Sequence, residues 1–515
     1  MKKYTAMLTA AVTWIVCTVC VPAVHAESRQ IIVSDTAELQ KALENVKAGD
    51  EIILKEGIYQ ADPSSGVWKA FQATANGTPD QHIILRSESA AAPATICGHT
   101  PDSKCALYIT GSYWELRDLK VSTANKGIFL AQSEHSIISG CEVFDIGAEA
   151  IHVIDDSSYN LVENCTVHDT GLVKPEYGEG VYIGSAKNAT EYGFECHYNT
   201  VRNCKFGPNI AADHVDIKEF THGNLVEYCT FDGTGMRGEN GGDSFVEIKG
   251  NDTIVRYNTG YRNGCEKQLY GFDMNVQLDG WGQNNKIYDN TLYLDSDECF
   301  VAKGWMCYAE VFRNHVEPAE CTCSGNRVLQ VRGYRLAGDV NEDGQIDMTD
   351  AAFLQEWLCT ESISHISAEN ADLNGDKRLN AADLSLLKQK LLQNDTNEKA
   401  VIFADFTEEE TGKWRMTNGL GGKTVTFCVN AESGTAVNMG WGYWDPYQVN
   451  EATGADGKWI QNSLGTLKPD ENGIIEITVE PPQDATSVDL EVYSVSDSSG
   501  KREKDCVTLA EVRTE

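Results

Sequence analysis

From about residue 105 to 295 the chain repeats one pattern: a short run with apolar side chains at alternate positions, a polar turn, and a second short apolar run. The first runs read GIFLA (127–131), AIHVI (150–154), GVYIG (180–184), HVDIK (214–218), FVEIK (245–249) and NVQLD (275–279). Alternation sends neighbouring side chains to opposite faces, so each run predicts a strand with one buried face. The second runs include SIISGCEV, NLVENCTV, NTVRNCKF, NLVEYCTF, TIVRYNTG and NKIYDNTL. One position in this series is Leu119, Cys141, Cys165, Cys204, Cys229, Asn258 and Asn290, recurring 22 to 39 residues apart. Short strands at that spacing, with loops of variable length inserted at one corner, predict a stacked β-solenoid. The four cysteines of the column then point inward and stack as small buried hydrophobes.

The ends of this region fit a cap and a leader. Asp35-Thr36-Ala37-Glu38 has the spacing of a capping box, and Leu39, Ala42, Leu43 and Val46 share one face of the helix it opens. Such a helix would cover the open end of the first coil. Further upstream, Lys2 and Lys3 precede an apolar run over 6–21 and then Val24-His25-Ala26, the order of a signal peptide cleaved after residue 26. The mature chain is therefore expected to be secreted.

Charge narrows the partners. The 515 residues carry a formal charge of −35, which argues against nucleic acid and anionic membrane surfaces. No internal apolar run is long enough to span a bilayer. Of 17 cysteines, Cys17 and Cys20 would leave with the leader. Disulfides are then to be sought outside the stacked column, Cys428 with Cys506 among them.

Alignment of the six first runs leaves one outward column of Phe129, His152, Tyr182, Asp216, Glu247 and Gln277. The next outward column is Ala131, Ile154, Gly184, Lys218, Lys249 and Asp279. The face turns from apolar to charged as the coils advance, and long polar loops flank its charged part. A sheet face built this way can be a solvated surface with cross-strand ion pairs, or a groove for a sugar chain. His152, Tyr182 and Gln277 would line such a groove.

The coil period, the cap helix and the stacked Cys/Asn column resemble the right-handed parallel β-helix superfamily, the pectate-lyase-like fold, over about residues 30–335. The resemblance implies β-elimination on a uronic-acid polymer, pectate foremost. That reaction removes the proton α to a carboxylate and expels the glycosidic oxygen. Lys218 or Lys249 would be the base, its pKa lowered by the neighbouring ammonium and a nearby cation. Asp216 and Glu247, with Asp243, would hold Ca²⁺ through hard oxygen ligands, and Arg237 would support the substrate. The chain departs from the family pattern at Gly271-Phe272, which is followed by Asp273 where a lysine base would stand. Two other readings stay open: a β-helix glycoside hydrolase using paired carboxylates, and a non-catalytic polysaccharide-binding β-helix.

Two calcium-loop motifs follow. DVNEDGQIDMTD (339–350) places Asp339, Asn341, Asp343, Asp347 and Asp350 at loop positions 1, 3, 5, 9 and 12, with Gly344 at the sharp turn. DLNGDKRLNAAD (372–383) repeats this with Asp372, Asn374, Asp376, Asn380 and Asp383, but has Lys377 where glycine is preferred. Each loop precedes an amphipathic helix. The duplicated loop–helix resembles a cellulosomal dockerin over about residues 338–393. That implies calcium as the cofactor, a cohesin module on a scaffold protein as partner, and an extracellular, cellulosome-associated location.

The remaining segment alternates in KTVTFCVN, GIIEITVE, TSVDLEVYSV and CVTLAEVR, separated by Gly/Asn/Asp turns, which predicts a β-sandwich. Trp441, Tyr443 and Trp444 lie in a Gly-flanked aromatic cluster beside Pro446. Read as a loop, it predicts a carbohydrate-binding surface. Four segments are thus expected: a leader at 1–26, a β-helix at 27–337, a dockerin at 338–395 and a sandwich at 396–515. The fold class is mainly β.

Overall fold

The computed structural model describes residues 29–275, 278–325, 327–342, 344–360, 366–393, 396, 400–449 and 456–514. The expected leader, Gln277 and Asp343 lie outside the described residues.

Three parallel sheets wind around one apolar core, so the first half of the molecule is a parallel β-helix. The sheet that carries the charged face has ten strands: Lys69–Ala73, Cys105–Ile109, Lys126–Ala131, Ile151–Ile154, Val181–Ile183, Val215–Ile217, Ser244–Ile248, Tyr270–Asn275, Phe300–Trp305 and Ser324–Gly325. The parallel register aligns equivalent residues of successive coils: Val181 with Val215, and Val215 with Val246. All three are fully buried, and Ile183, Ile217 and Ile248 fill the second inward column. Helix α1 (Thr36–Asn45) buries Leu39, Ala42 and Leu43, with Asp35 capping Glu38 N–H at 2.9 Å.

The column of Cys141, Cys165, Cys204 and Cys229 is buried, and every cysteine among the described residues is a free thiol, Cys428 and Cys506 included. Each thiol of the stacked column lies within 3.7 Å of a backbone carbonyl of its own or the preceding coil. Asparagine takes over where the cysteines stop. Asn258 Nδ2 donates to Asn290 Oδ1 at 2.9 Å, and Asn290 Nδ2 to Asn314 Oδ1 at 2.9 Å, so buried amides satisfy one another up the stack.

The register departs from expectation at one coil. Glu247 pairs with Asp273, not with Gln277, and Asp273 pairs with Lys303. The strand is Tyr270–Asn275, four residues earlier than NVQLD. A four-residue slip keeps every side chain on its own face, so alternation along GFDMNVQLD cannot detect it.

Beyond the β-helix, helices α2 (Met348–Thr360), α3 (Ala368–Ala371) and α4 (Ala381–Leu392) enclose a small core of Leu336, Val340, Ile346, Leu354 and Leu387. The C-terminal strands form two sheets packed face to face around Trp414, Phe427, Val437, Met439 and Leu490. One of them is continuous with the β-helix: Val328–Arg335 pairs antiparallel with Val401–Ala404. Tyr288, Phe312 and Leu329 of the β-helix join the sandwich core, so the two units share buried area.

Candidate functional site

The outward column of the ten-stranded sheet runs Tyr108, Phe129, His152, Tyr182, Asp216, Glu247, Asp273, Lys303, one residue per coil. Its middle opens into a cleft of about 300 Å³ floored by Tyr182, Asp216, Lys218, Glu247 and Lys249. Glu179 and Asp213 line the same cleft at the entry of their strands, and the segments carrying Glu176, Lys187 and Asn240 form its walls. Parallel strands about 4.8 Å apart hold these side chains in fixed rows.

The charges are interlocked. Asp216 is buried and accepts from both lysines, from Lys218 Nζ at 2.5 Å and from Lys249 Nζ at 3.3 Å. Lys249 also pairs with Glu247. Burial alone would lower the Lys218 ammonium, but Asp216, Glu247 and Glu179 outweigh it and hold its pKa well above 10.5. Burial likewise opposes the Lys249 ammonium, and Asp216 and Glu247 again raise it. The expected depression of a lysine pKa by its like-charged neighbour is therefore reversed. Three carboxyls lie within reach of the two ammoniums, and attraction exceeds the lysine–lysine repulsion.

Other carboxyls move the opposite way. Burial, then the charges of Glu149 and Asp216, push Glu179 up to about 8. Burial is also the main cause at Glu247, pushed up to about 7, while Asp216 is held below its usual value by the two lysines despite burial. Asp213 accepts from the Ser244 hydroxyl at 2.7 Å and is raised by burial and by the charges of Glu247 and Asp216. Tyr182 is raised well above 10, by burial first and then by Asp216 and Glu179. Lys218 Nζ stands 4.7 Å from the centre of its ring. Near neutrality the cleft thus presents two ammoniums, the carboxylates of Asp216 and Glu247 paired with them, and two buried carboxyls, Glu179 and Asp213, whose proton is held more tightly than usual.

Several expected assignments change. Asp216 and Glu247 do not fit a calcium cage, because both oxygens of Asp216 and one of Glu247 are occupied by ammonium groups. Asp243 lies apart from them, against Asp273 and Lys303, with its pKa pushed up to about 6 by burial and by Asp273. His152 is only 5% exposed and does not line the cleft; its ring is packed between Phe129, at 4.8 Å, and Tyr182, at 4.4 Å. Burial holds it well below 6.5, and neither ring nitrogen has a hydrogen-bond partner. Arg237 is exposed on its loop and lies outside the cleft lining. Glu179 was not foreseen. Its one sequence signal is that Glu149, Glu179 and Asp213 each stand two residues before the first inward valine or isoleucine of successive coils.

The aromatic cluster of the sandwich is a strand and not a loop. Ala436–Val449 pairs with strands on both sides. Trp441 and Tyr443 therefore share a face and stack at 5.6 Å against the sandwich core. Trp444 points to the other face, paired in register with Trp459, and is 36% exposed.

The two calcium-type loops fold alike. Asp350 accepts from Val340, Asn341 and Asp347 N–H at 2.7, 3.2 and 2.8 Å; Asp383 accepts from Leu373, Asn374 and Asn380 N–H at 3.2, 3.4 and 3.0 Å. Asp339 and Asp372 each accept from the residue five places on, Gly344 at 2.8 Å and Lys377 at 2.7 Å. Gly344 has φ +84° and Lys377 φ +61°, so the lysine takes the left-handed turn that glycine takes in the first copy. The loops differ in exposure. Asp339, Asn341 and Glu342 are buried, with Glu342 paired to Arg313 of the β-helix, whereas Asn374 and Asp376 are exposed. Among the described residues these loops bring oxygen donors together without a compact acidic cluster. The donor types and the repeated position-12 hydrogen bonds fit a calcium ion in each loop.

Comparison with known proteins agrees with this architecture. The family model "Pel9A-like, right handed beta helix region" matches residues 21–294, and the model of the dockerin type I domain matches residues 337–392. Among solved structures, the alginate lyase from Paenibacillus sp. str. FPU-7 is 39% identical, with a TM-score of 0.56 over 58% of this chain and 99% of that one. The pectate lyase Pel9A is 14% identical, with a TM-score of 0.47 over 59% of this chain and 78% of that one. No curated protein matches. Among the described residues no helix is long and apolar enough to cross a membrane.

Proposed function

The chain belongs to the Pel9A-like right-handed β-helix family, and we propose that it is a polysaccharide lyase cleaving a uronic-acid polymer, alginate before pectate. The observation that carries this reading is the cleft in which the Lys218 ammonium stands 4.7 Å from the centre of the Tyr182 ring, among buried carboxyls. The choice of polymer rests on the 39% identity to an alginate lyase over nearly all of that protein, since a likeness at 14% speaks only for the fold.

In an elimination the substrate carboxylate must first lose its repulsion. Lys218 supplies positive charge, and Glu179, kept as the acid by burial, can donate a hydrogen bond where a carboxylate would repel. The bond to the proton α to the carboxylate breaks, the carbon–carbon double bond forms, and the glycosidic oxygen leaves with a proton. The Tyr182 hydroxyl oxygen takes the α proton as its own hydroxyl proton passes to the leaving glycosidic oxygen, so Tyr182 ends as it began, and the Lys218 ammonium keeps its protons and offsets the charge that builds on the substrate carboxylate. Lys249, between Asp216 and Glu247, is a positioning residue. A hydrolase would need one carboxylate free to activate water; Asp216 is held by both lysines.

The dockerin attaches this enzyme to a cohesin module of an extracellular scaffold. Asp339, Asn341, Asp347 and Asp350 in one loop, and Asp372, Asn374, Asp376, Asn380 and Asp383 in the other, would hold calcium, which supplies the charge that keeps each loop closed. The test incubates the full chain with alginate, pectate and a glycosaminoglycan, with and without chelator, following ultraviolet absorbance and reducing ends together. A lyase raises both on alginate, and chelation leaves cleavage in place while abolishing capture by cohesin. Reducing ends without absorbance, or Lys218→Ala retaining activity within about tenfold, would refute the assignment.

A further inference from the structure

Beyond the cleft the same face carries a second group of residues that the cleavage chemistry does not use. Lys303 Nζ donates to Asp273 Oδ2 at 2.9 Å and stands 4.5 Å from the centre of the Tyr270 ring. Lys218, Asp216 and Tyr182 show the same combination at 2.5 and 4.7 Å. Tyr270 is itself backed by Phe300, its ring stacked at 5.9 Å. Lys303 keeps 27% of its side chain exposed, so its ammonium is accessible from solvent.

Two residues on, Trp305 is 57% exposed. The register pairs it with Asn275, which lines the cleft. Trp305 therefore stands in the outward row of Lys218, Lys249 and Asn275, three strands beyond Lys218. At about 4.8 Å per strand that is about 14 Å along the axis of the β-helix. The indole, 57% exposed at the end of a charged groove, offers a flat apolar face to solvent. Its flat face beside an accessible ammonium suits an acidic sugar: the ring packs on the C–H face of a pyranose, and the ammonium donates to its carboxylate.

We propose that Lys303 and Trp305, backed by Tyr270, form a distal subsite that binds a uronate residue of the polymer about 14 Å from the bond being cleaved. This rests on the lyase reading for the substrate's class, though not for the existence of a binding site. It makes the enzyme a reader of chain length. Polymers and long oligomers gain the distal contact, and short oligomers that end before Trp305 do not. The subsite also orients the chain along the coil axis, across the strands.

Trp305→Ala is the first variant, because an exposed side chain can be removed without disturbing the core. Lys303→Ala and Lys303→Arg follow, the arginine preserving the charge beside Asp273. KM and kcat are measured on sodium alginate and on its size-fractionated oligomers. The expected result is a rise of about tenfold in KM for the polymer with Trp305→Ala and Lys303→Ala, the size of one lost charge-assisted contact, with partial rescue by Lys303→Arg. The rise shrinks as the oligomers shorten. Equal KM values for variant and parent at every length would overturn the subsite while leaving the lyase reading intact. Retardation of the full chain in an alginate gel separates the two failures. If the parent makes no unsaturated ends yet Trp305→Ala loses retardation, the subsite stands and the lyase reading falls. If Trp305→Ala and the parent migrate alike, the subsite falls.

Discussion

The outward column changes character between its third and fourth residues, His152 and Tyr182, although the backbone beneath it does not. Tyr108, Phe129 and His152 are buried at 6%, 1% and 5%; Trp68 and Tyr192 seal the first two into a small apolar cluster, and His152 packs against Phe129. Tyr182, Asp216 and Glu247, in the same column on the next coils, are as little exposed, at 8%, 1% and 6%, but they floor a cleft instead of lying under aromatic rings. Strand geometry, register and inward packing are alike in both regions. The difference is what the loops bring: aromatic rings over the early coils, and polar walls over the later ones. A parallel β-helix face is thus neutral scaffold, and its cover decides whether an outward residue serves stability or chemistry.

The largest test of this division is Tyr182→Phe, which deletes one oxygen from the open half. Turnover is expected to fall by about 10²–10⁴-fold, with the thermal midpoint little moved. Activity within about threefold of the parent would place the chemistry elsewhere in the cleft. The converse is Phe129→Ala in the sealed half. Removing a buried ring stacked at 5.0 Å on Tyr108 should cost about 3–5 kcal/mol, read as a lower urea midpoint of the β-helix transition, while turnover per folded molecule is retained. A loss of turnover matching that of Tyr182→Phe, at unchanged stability, would erase the boundary between the halves.

Protonation sharpens the same contrast, because the open half holds its acids away from their ordinary range. Glu179 is raised to about 8 from 4.5, and Glu247 to about 7. A raised acid keeps its proton in the folded state after the unfolded chain has released it. The folded state then binds more protons, so stability falls as pH climbs from about 4.5 toward 8 and levels off above. Glu179→Gln removes one titrating group and should flatten that decline, as urea midpoints at pH 5, 6.5 and 8 would reveal. An unchanged slope would mean that Glu179 is ionised in the folded protein at neutrality.

Much of this was legible in the sequence, and the failures have physical causes. Alternation identified the inward columns and the stacked Cys141–Cys229 series, because burial in a parallel sheet leaves little choice of residue. The loop motifs of the dockerin were legible because calcium ligands need fixed spacing. The slip to Asp273 was not, since four residues preserve parity and only tertiary contacts of the preceding loop choose the start, among them the pairing of Arg262 with Asp295. Trp441 and Tyr443 looked like a loop because of their glycines. In the folded sheet those glycines make room for rings from the neighbouring strand, as a Cβ on Gly442 would stand 2.7 Å from Trp459. The direction of the lysine shifts needed distances, because a lysine pair and a carboxylate trio pull oppositely.

His152 marks the boundary itself, and its substitution should have the smallest effect and the most informative sign. Its expected place was in a sugar-binding groove; the structure puts its ring edge-on to Tyr182 and behind it. Both ring nitrogens are buried without a hydrogen bond, Nδ1 standing 3.9 Å from Glu149 Oε1, an arrangement that costs free energy for every polar atom left unbonded. His152→Phe keeps an aromatic ring between Phe129 and Tyr182 and removes both stranded nitrogens. Against this stands the extra volume of a six-membered ring in a packed site, a penalty of about 1 kcal/mol or more. The two effects nearly cancel, so stability should move by no more than about 1 kcal/mol, toward the stable side if the ring fits, with KM for alginate held. A rise in KM at unchanged stability would instead give His152 a direct hand in the sugar chain, and would move the edge of the open half one coil toward the N-terminus.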